Sequence, residues 1–379
     1  MVNALIVIVL CIIATLYVLL MWALWVGLGR VLAQPKPAEP PADAGISVVV
    51  VFRNEVHNLP ALLGALRAQT LPQHRWEALF IDDGSTDGGP AMVEAAGDGV
   101  ALLRLPPRGK KPALAEGLAR TRFGTVALCD ADCIPPPTWL AELLRWSHGV
   151  ALLQGAVLVQ PTGHWAAPLD ALDYASLQAA AAGAFGLGRP IMAASANLTV
   201  GPAAVPSAHH LRPDIDTGDD VFILHRAKRM GLSMRCSLSP LMAMRTRFDG
   251  GVRQRLARRM RWASKATAYT DADSVVVALL VALFNLSIAL AVPASACGLL
   301  PVGTAPALWA AKLLADTPLM LRYLRATGQR NLLPYYLPLQ ILYPFYTTAE
   351  AVGALIRSKK RKMKRGSNGI FINFGAWKG

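Results

Sequence analysis

Charge is scarce in this sequence. Asp, Glu, Lys and Arg make up 16% of its 379 residues, against about 25% in an ordinary soluble domain. Acids are the scarcer sign, 24 against 38 Lys and Arg, which leaves a net charge of +14. Cysteine is nearly absent too. Five residues over this length make no disulfide framework, and Cys129 and Cys133 have no His at zinc-binding spacing, so the thiols read as reduced, small hydrophobic side chains. No internal repeat is present, which excludes solenoids and propellers. No Gly-rich phosphate loop follows the first apolar run; Phe52-Arg-Asn-Glu55 stands there instead, which argues against a nucleotidyltransferase. The positive balance raises the question of nucleic acid, but no basic face interleaved with aromatics is visible.

What the chain has in excess is hydrocarbon, 54% of residues, gathered toward both ends. Residues Ala4 to Leu28 carry no charge, and at ~1.5 Å rise per residue they cross a ~30 Å hydrocarbon core with some tilt. A cleavable signal peptide has an apolar core of about 7–15 residues behind a basic segment. This run is longer and nothing basic precedes it, so it reads as an uncleaved transmembrane anchor. Arg30 and Lys36 follow it, which by the positive-inside tendency places the next domain in the cytoplasm. Gln34 to Ala42 is a stiff, proline-rich linker. Toward the other end, Gly251 to Thr270 is an Arg-rich amphipathic stretch suited to the membrane interface. Ser274 to Val292 is a good span, and Ala305 to Leu321 is interrupted by Lys312 and Asp316. Leu332 to Ile356 carries three prolines between basic flanks and is expected to be re-entrant or in-plane. Basic clusters border these segments: Arg245, Arg247, Arg253, Arg255, Arg258, Arg259, Arg261 and Lys265 before, and the run from Arg357 to Arg365 after. Such clusters bind anionic headgroups, so the expected charged partner is a membrane surface and not nucleic acid.

Between the ends, short apolar runs alternate with segments of helical period. Val48–Phe52, Ala78–Asp82, Ala101–Arg104 and Thr125–Cys129 read as buried strands, and Leu59–Gln69, Pro112–Arg120 and Pro136–Arg145 as the helices between them. That alternation implies an α/β fold, a mainly parallel sheet with helices on both faces and ligands at the carboxyl ends of its strands. Arg53-Asn54-Glu55, Asp82-Asp83 and Asp130-Ala131-Asp132 all fall at such ends. Residues i and i+2 at a strand end point the same way, so Asp130 and Asp132 can converge on one divalent cation. Hard oxygen ligands suit Mg2+ or Mn2+ carrying a substrate diphosphate. A chain of this length holds about one Asp-x-Asp by chance. This one has three, but Asp214-Ile-Asp216 and Asp271-Ala-Asp273 do not close a buried-looking strand.

The companions of the first motif come in a fixed order: Arg53-Asn54-Glu55, Asp82-Asp83-Gly84-Ser85, Gly109-Lys110-Lys111-Pro112, Ala196-Asn197-Leu198, Thr217-Gly218-Asp219-Asp220 and Arg258-x-x-Arg261-Trp262. From about Ser47 to Trp262 the chain resembles the family 2 glycosyltransferases, which have the GT-A fold and take a sugar from a nucleotide-sugar donor. The resemblance implies that Asn54, Glu55, Asp82, Asp83, Lys110, Lys111, Asp130 and Arg258 hold the donor, with Asp82 and Asp83 at a uracil and ribose. It implies that Asp130 and Asp132 hold the metal. Asp220, with Asp219 beside it, matches the second acid of the family's Glu-Asp-x-x-Leu motif and is the expected general base, with Asp214 and Asp216 nearby as alternatives. Arg261 would clamp the pyrophosphate and Trp262 line the acceptor end. Arg258 stands where the family's processive polysaccharide synthases carry Gln, which is closer to members similar to ceramide glucosyltransferases that glycosylate one lipid. Asn197 contacts donor or acceptor, or ties a loop.

The expectation is therefore an inverting, metal-dependent transferase of a GT-A α/β fold with N- and C-terminal transmembrane helices, multi-pass in the cell (inner) membrane, its catalytic domain cytoplasmic. Its donor is a nucleotide-sugar, most simply a UDP-sugar, and its acceptor a membrane lipid or lipid-linked molecule. Residues 1–30 would be the anchor, 31–44 the linker, 45–248 the catalytic domain, 249–272 the interfacial segment, 273–357 the C-terminal membrane segments and 358–379 a basic cytoplasmic tail. The alternatives are a processive polysaccharide synthase and an inactive scaffold, and the second would have lost a metal or base carboxylate that this chain retains.

Overall fold

The computed structural model describes residues 2–212, 215, 218–248, 251–265 and 268–368. Asp214 and Asp216 lie outside the described residues, as do residues 369–379 of the basic tail and the side chains of Arg253, Arg255, Lys265 and residues 354–368.

The strands are β1 (Ile46–Phe52), β2 (Trp76–Asp83), β3 (Val100–Leu105), β4 (Thr125–Asp130), β5 (Leu152–Gly155), β6 (Val157–Gln160), β7 (Leu198–Val200), β8 (Met234–Ser237) and β9 (Met244–Arg247). Seven of them make one mixed sheet in the order β3-β2-β1-β4-β7-β5-β8. The first four run parallel, and β7 is antiparallel to both β4 and β5. Val-rich β1 is apolar on both faces because both are covered. Val48 and Val50 join one core cluster and Val49 the other, as a period of two requires. Register then sets the site. Phe52 lies opposite Asp82 and Val51 opposite Asp130, so the acidic ends of β2 and β4 flank the end of β1. β6 and β9 pair as a separate two-stranded ribbon beside them.

The helices are α1 (Val2–Leu32), α2 (Leu59–Arg67), α3 (Gly89–Glu94), α4 (Lys110–Leu118), α5 (Trp139–Ser147), α6 (Ala167–Gly186), α7 (Asp219–Arg229), α8 (Val252–Lys265), α9 (Ala272–Ala296), α10 (Thr304–Ala326) and α11 (Tyr336–Asn368). Among the described residues, two helices hold stretches long and apolar enough to cross a membrane: Ala4–Leu32, with mean hydropathy 3.1, and Ala272–Ala296, with 2.8. Leu5, Ile12, Leu19 and Trp22 on α1, Val276, Leu279 and Leu290 on α9, and Leu337 and Ile341 on α11 are exposed. An exposed apolar surface of that kind marks a site of interaction with a membrane or another protein.

One hydrophobic core runs from the sheet into these helices. Val49 and Leu128 of the sheet, Ala175, Ala179 and Ala182 of α6, and Leu24 and Leu28 of α1 belong to the same buried cluster. The contact between α1 and α6 is backbone against backbone: a Cβ on Gly27 would sit 2.0 Å from the Gly183 oxygen, and one on Gly186 would sit 1.9 Å from the Gly27 oxygen. Small residues are what permit helices to approach this closely. On α10, Lys312 and Asp316, which break its apolar pattern, both turn inward and pair with each other. After a 3-10 turn at Arg330–Tyr335, α11 continues with Pro344 inside it, and position 358, where the tail was expected to begin, falls within this helix. Lys and Arg are good helix formers, so a basic run does not end a helix.

Candidate active site

β4 delivers Asp130 to the carboxyl end of the sheet, and α4 begins with Lys110 facing it. Lys110 Nζ lies 2.7 Å from Asp130 Oδ1, 3.3 Å from Ser195 Oγ and 3.6 Å from Asp219 Oδ2. Burial opposes the ammonium charge, but Asp130 and then Asp219 outweigh it and hold Lys110 above its usual pKa. Asp219 and Asp220 occupy the first turn of α7, where the helix dipole favours carboxylates. Asp220 Oδ1 accepts the Val221 N–H at 2.7 Å.

Asp132 is placed differently from Asp130. The Thr246 hydroxyl on β9 donates to its Oδ2 at 3.2 Å, and the Cys133 thiol lies 3.6 Å from its Oδ1. Burial, and then the charge of Asp130, push its carboxyl up to about 6, with Thr246 pulling the other way and Glu55 adding to the push. Two carboxylates that oppose each other's ionisation in a half-buried site are what a divalent cation relieves. Among the described residues no group of three or more His, Cys, Asp or Glu side chains converges as a metal cage. The donor set fits Mg2+ or Mn2+, which commonly take one or two carboxylates and complete their shell with substrate phosphates and water. The neighbouring Cys133 thiol is not a metal ligand in waiting: its hydrogen bond with Cys129, together with burial, raises its pKa well above the usual value.

The residues at the ends of β1 and β2 stitch the loops together. Asp82 Oδ1 accepts the Ser85 N–H at 2.8 Å across a turn in which Gly84 has φ 76°. Asp83 accepts from Arg108 N at 2.8 Å and from Gly109 N at 3.0 Å, at the start of α4. Asn54, itself at φ 58°, accepts the Thr86 N–H at 2.8 Å, and Glu55 accepts from the Asn58 amide at 2.7 Å. Lys111 turns away from Lys110: it donates to the Arg212 carbonyl at 3.0 Å and lies 4.6 Å from the centre of the Phe222 ring. Asn197 is fully buried and ties loops. It accepts from the Trp139 indole at 2.9 Å and donates to the Ala156 and Met242 carbonyls, each at 2.9 Å.

From α8, Arg261 and Trp262 line the same cavity as the acids. Trp262 packs against Tyr174 and Phe248, ring centres 5.8 Å and 5.9 Å away. Arg258 instead lies over Phe248, 3.9 Å from the ring centre, and 3.7 Å from Asp170. Its neighbour Arg259, expected among the basic residues that meet lipid headgroups, is instead turned inward and anchors α8. Arg259 is buried, 2.8 Å from Asp173 and 3.1 Å from Glu350, and the Tyr346 hydroxyl donates to Asp173 at 2.7 Å. One signal pointed there: Asp170 and Asp173 are spaced i, i+3 and so share a face of α6.

Lys110, Asp130, Asp132, Asp219, Asp220 and Trp262 thus border one cavity of about 890 Å3, and α1, α6, α9, α10, α11 and residues 191–196 supply much of the rest of its wall. Asn54, Glu55, Asp82, Asp83, Lys111 and Arg258 stand outside that lining, the first four as the scaffold of its strand-end edge.

Residues 47–154 match the family model of Glycosyl transferase family 2, and residues 125–348 that of Glycosyl transferase family group 2. Glycosyltransferase AglE of Haloferax volcanii is 29% identical over 114 residues, 29% of this chain and 36% of that protein. The undecaprenyl-phosphate 4-deoxy-4-formamido-L-arabinose transferase of Serratia proteamaculans is 29% identical over 129 residues, 32% of this chain and 39% of the relative. The chain therefore spans little more than a third of the length of these relatives. The mannosyltransferase PcManGT of Pyrobaculum calidifontis, solved with GDP-Man and Mn2+, superposes over 94% of this chain and 99% of its own with a TM-score of 0.56 at 18% identity, a likeness of fold.

Proposed function

The chain belongs to the family 2 glycosyltransferases, and from that premise we propose that it is an inverting, metal-dependent enzyme that moves a sugar from a nucleotide-sugar, a UDP-sugar in the simplest case, to a membrane lipid or lipid-linked acceptor on the cytoplasmic face of a membrane. The observation that carries this reading is the single cavity shared by Lys110, Asp130, Asp132, Asp219 and Asp220 at one side and by the apolar helices at the other. A water-soluble acceptor would have no use for a cleft walled by α1, α9 and α10. The name of the Serratia relative, which specifies undecaprenyl phosphate, agrees with a lipid-borne acceptor.

In this reading Asp220 takes the proton from the acceptor hydroxyl, and that oxygen attacks the anomeric carbon. The bond from carbon to the diphosphate oxygen breaks on the opposite face, so configuration inverts. Lys110 and Arg261 balance the charge of the departing diphosphate. Asp132, with Asp130 behind it, would hold Mg2+ or Mn2+, which when bound neutralises the diphosphate oxygens. Asp82, Asp83 and Asn54 keep the strand-end loops in place for the nucleoside. The Arg259–Asp173–Glu350 network fixes α8 so that Arg261 and Trp262 face the acceptor. The anchor, linker, catalytic, interfacial and C-terminal segments would be organised as the sequence suggests, with several crossings.

Radiolabelled UDP- and GDP-sugars offered to membranes containing the protein test this reading. Label is expected in the organic extract, on a lipid carrying one sugar. Label only in the aqueous phase overturns the lipid acceptor, and label in high polymer would identify a processive synthase. Asp220→Asn is expected to lower kcat by about 10²–10⁴ with donor binding retained; undiminished turnover refutes its role as base.

A further inference from the structure

The last of the three Asp-x-Asp motifs lies outside the lining of the cavity. Asp271 and Asp273 open α9, one of the two helices long and apolar enough to cross a membrane. Asp271 is its N-cap, with Oδ2 accepting the Ser274 N–H at 2.9 Å, and both acids stand at the positive end of the helix. A cap needs no cation from elsewhere, yet one is supplied. Lys228, in the last turn of α7, places Nζ 2.6 Å from Asp271 Oδ1, 3.0 Å from Asp273 Oδ2 and 2.9 Å from the Pro190 carbonyl. An ammonium has three donors, and each finds an acceptor here. The lysine side chain is 14% exposed, so this is not a screened surface pair of little consequence.

His225, nearer the catalytic end of α7, adds a second tie. Its Nε2 lies 3.2 Å from Ser274 Oγ, which is also 2.9 Å from the Ile191 carbonyl and 2.8 Å from Asp271 Oδ2. The hydroxyl has one proton and two oxygen acceptors compete for it, so a proton on Nε2, donated to Ser274, is the tautomer these contacts assign. His225 and Ser274 are both buried. Three elements meet at this cluster. α7 carries Asp219 and Asp220 in its first turn, ~12 Å along the helix from Lys228. Residues 191–196 wall the cavity and hold Ser195 Oγ 3.3 Å from Lys110 Nζ. α9 adds Ser274 and Val277 to the same wall.

We infer that Lys228, His225, Ser274 and the Asp271–Asp273 pair clamp α7 and residues 190–196 to the start of α9, and so fix where Asp220 and Ser195 stand in the cavity. They are positioning residues and take no part in bond making. This inference rests on the reading of Asp220 as base to an acceptor held among the apolar helices, and it adds how the two are brought into register. A base on the α/β unit and an acceptor between membrane helices need a fixed separation, and a misplacement of ~1 Å costs about 10²-fold in rate. The last Asp-x-Asp motif therefore awaits no ion from solution, because the chain supplies its cation.

The full chain is compared as wild type, Lys228→Met, Lys228→Arg and Ser274→Ala, with Arg189→Gln as control. Arg189 meets Asp273 at 2.7 Å, but its side chain is 72% exposed, and its loss should change kcat by no more than about two-fold. Radiolabelled UDP- and GDP-sugars offered to membranes give kcat and donor KM. Hydrogen–deuterium exchange in detergent micelles follows the peptides 191–197 and 219–225. Lys228→Met should lower kcat about 10- to 100-fold with donor KM within about two-fold, and Lys228→Arg, which still reaches both carboxylates, should restore most of it. Exchange in Lys228→Met should quicken in the two peptides and stay as in the wild type in β1 and β4. Where Lys228→Met does not fold, Ser274→Ala decides by the same split of kcat from KM. Unchanged kcat overturns the inference, whether or not exchange responds. So does a fall in kcat that Lys228→Arg does not rescue, or one accompanied by faster exchange throughout the sheet. Asp220→Asn at full turnover, beside a Lys228→Met enzyme that has lost it, would refute the base and leave the clamp acting through Ser195 and the cavity wall. Label confined to the aqueous phase would refute the lipid acceptor alone, and the rescue and exchange comparisons would still decide the clamp.

Discussion

Asp132 is under two opposed demands. The proposed metal-holding role wants its charge, and the folded chain resists it, holding its pKa near 6 against an ordinary 3.8. As pH falls, the folded chain takes up this proton first, near 6, and the unfolded chain only near 3.8. Stability therefore declines as pH rises through that window and is level above it. Asp132→Asn should raise the melting temperature at pH 7 by about 2–4 °C, a gain that shrinks toward pH 4, while transfer falls about 10²-fold or more. Thermal unfolding across pH, beside a transfer assay, checks both halves, and a lowered melting temperature at pH 7 would contradict the shift. The acids themselves were legible because i, i+2 spacing at a strand end and a carboxylate pair opening a helix are local patterns. Their partners were not. Thr246 reaches Asp132, Ser195 reaches Lys110 and Arg259 reaches Asp173, each from 50 or more residues away, and nothing in Met244-Arg-Thr-Arg247 marks Thr246 beyond its alternation. Asn197 stood out in the sequence, but only its three hydrogen bonds identify it as a tie between loops.

The elements that were legible are those with one wet face or a long dry run. β1, β2, β3 and β4 follow the apolar runs closely, and α1 the charge-free N-terminal stretch. α6 was missed because it is buried nearly all round, so Leu-Gln-Ala-Ala-Ala-Ala-Gly carries no apolar stripe to read. β5 to β9 were missed because three- and four-residue strands hold too little pattern. α6 is also where packing is least forgiving. A Cβ on Gly183 would lie 2.4 Å from the Leu24 oxygen, so Gly183→Val should force α1 and α6 apart at a cost of about 1–3 kcal/mol or more. Gly64 on α2 has nothing within 4 Å of an added Cβ, and Gly64→Ala should be neutral or stabilise by up to ~1 kcal/mol. Unfolding of the two variants in one detergent compares them directly, and equal melting curves would show that the helix crossing is not tight.

At the scale of the whole molecule, the α/β unit and the apolar helices share one core, and the expected boundary between anchor and catalytic domain does not correspond to a gap in packing. Leu24 and Leu28 of α1 are as buried as the sheet residues they reach through α6. Removing residues 1–33 would uncover the alanine face of α6. The shortened chain should aggregate without detergent and lose most of its transfer activity, as size-exclusion chromatography and the labelled-donor assay would record; a monodisperse, active fragment would show the anchor to be a mere tether. That dependence was invisible in the sequence, where the proline-rich linker suggests two independent parts. It also has a mechanical result. α6 lends Tyr174, Ser176 and Leu177 to the floor of the cavity while its far end is locked to Gly27, so any tilt of α1 is passed to that floor. Bilayers thinner or thicker than the apolar length of α1 force such tilts. Turnover in reconstituted vesicles should accordingly peak at one acyl-chain length and fall on either side of it, which would make the enzyme a gauge of the thickness of its own membrane.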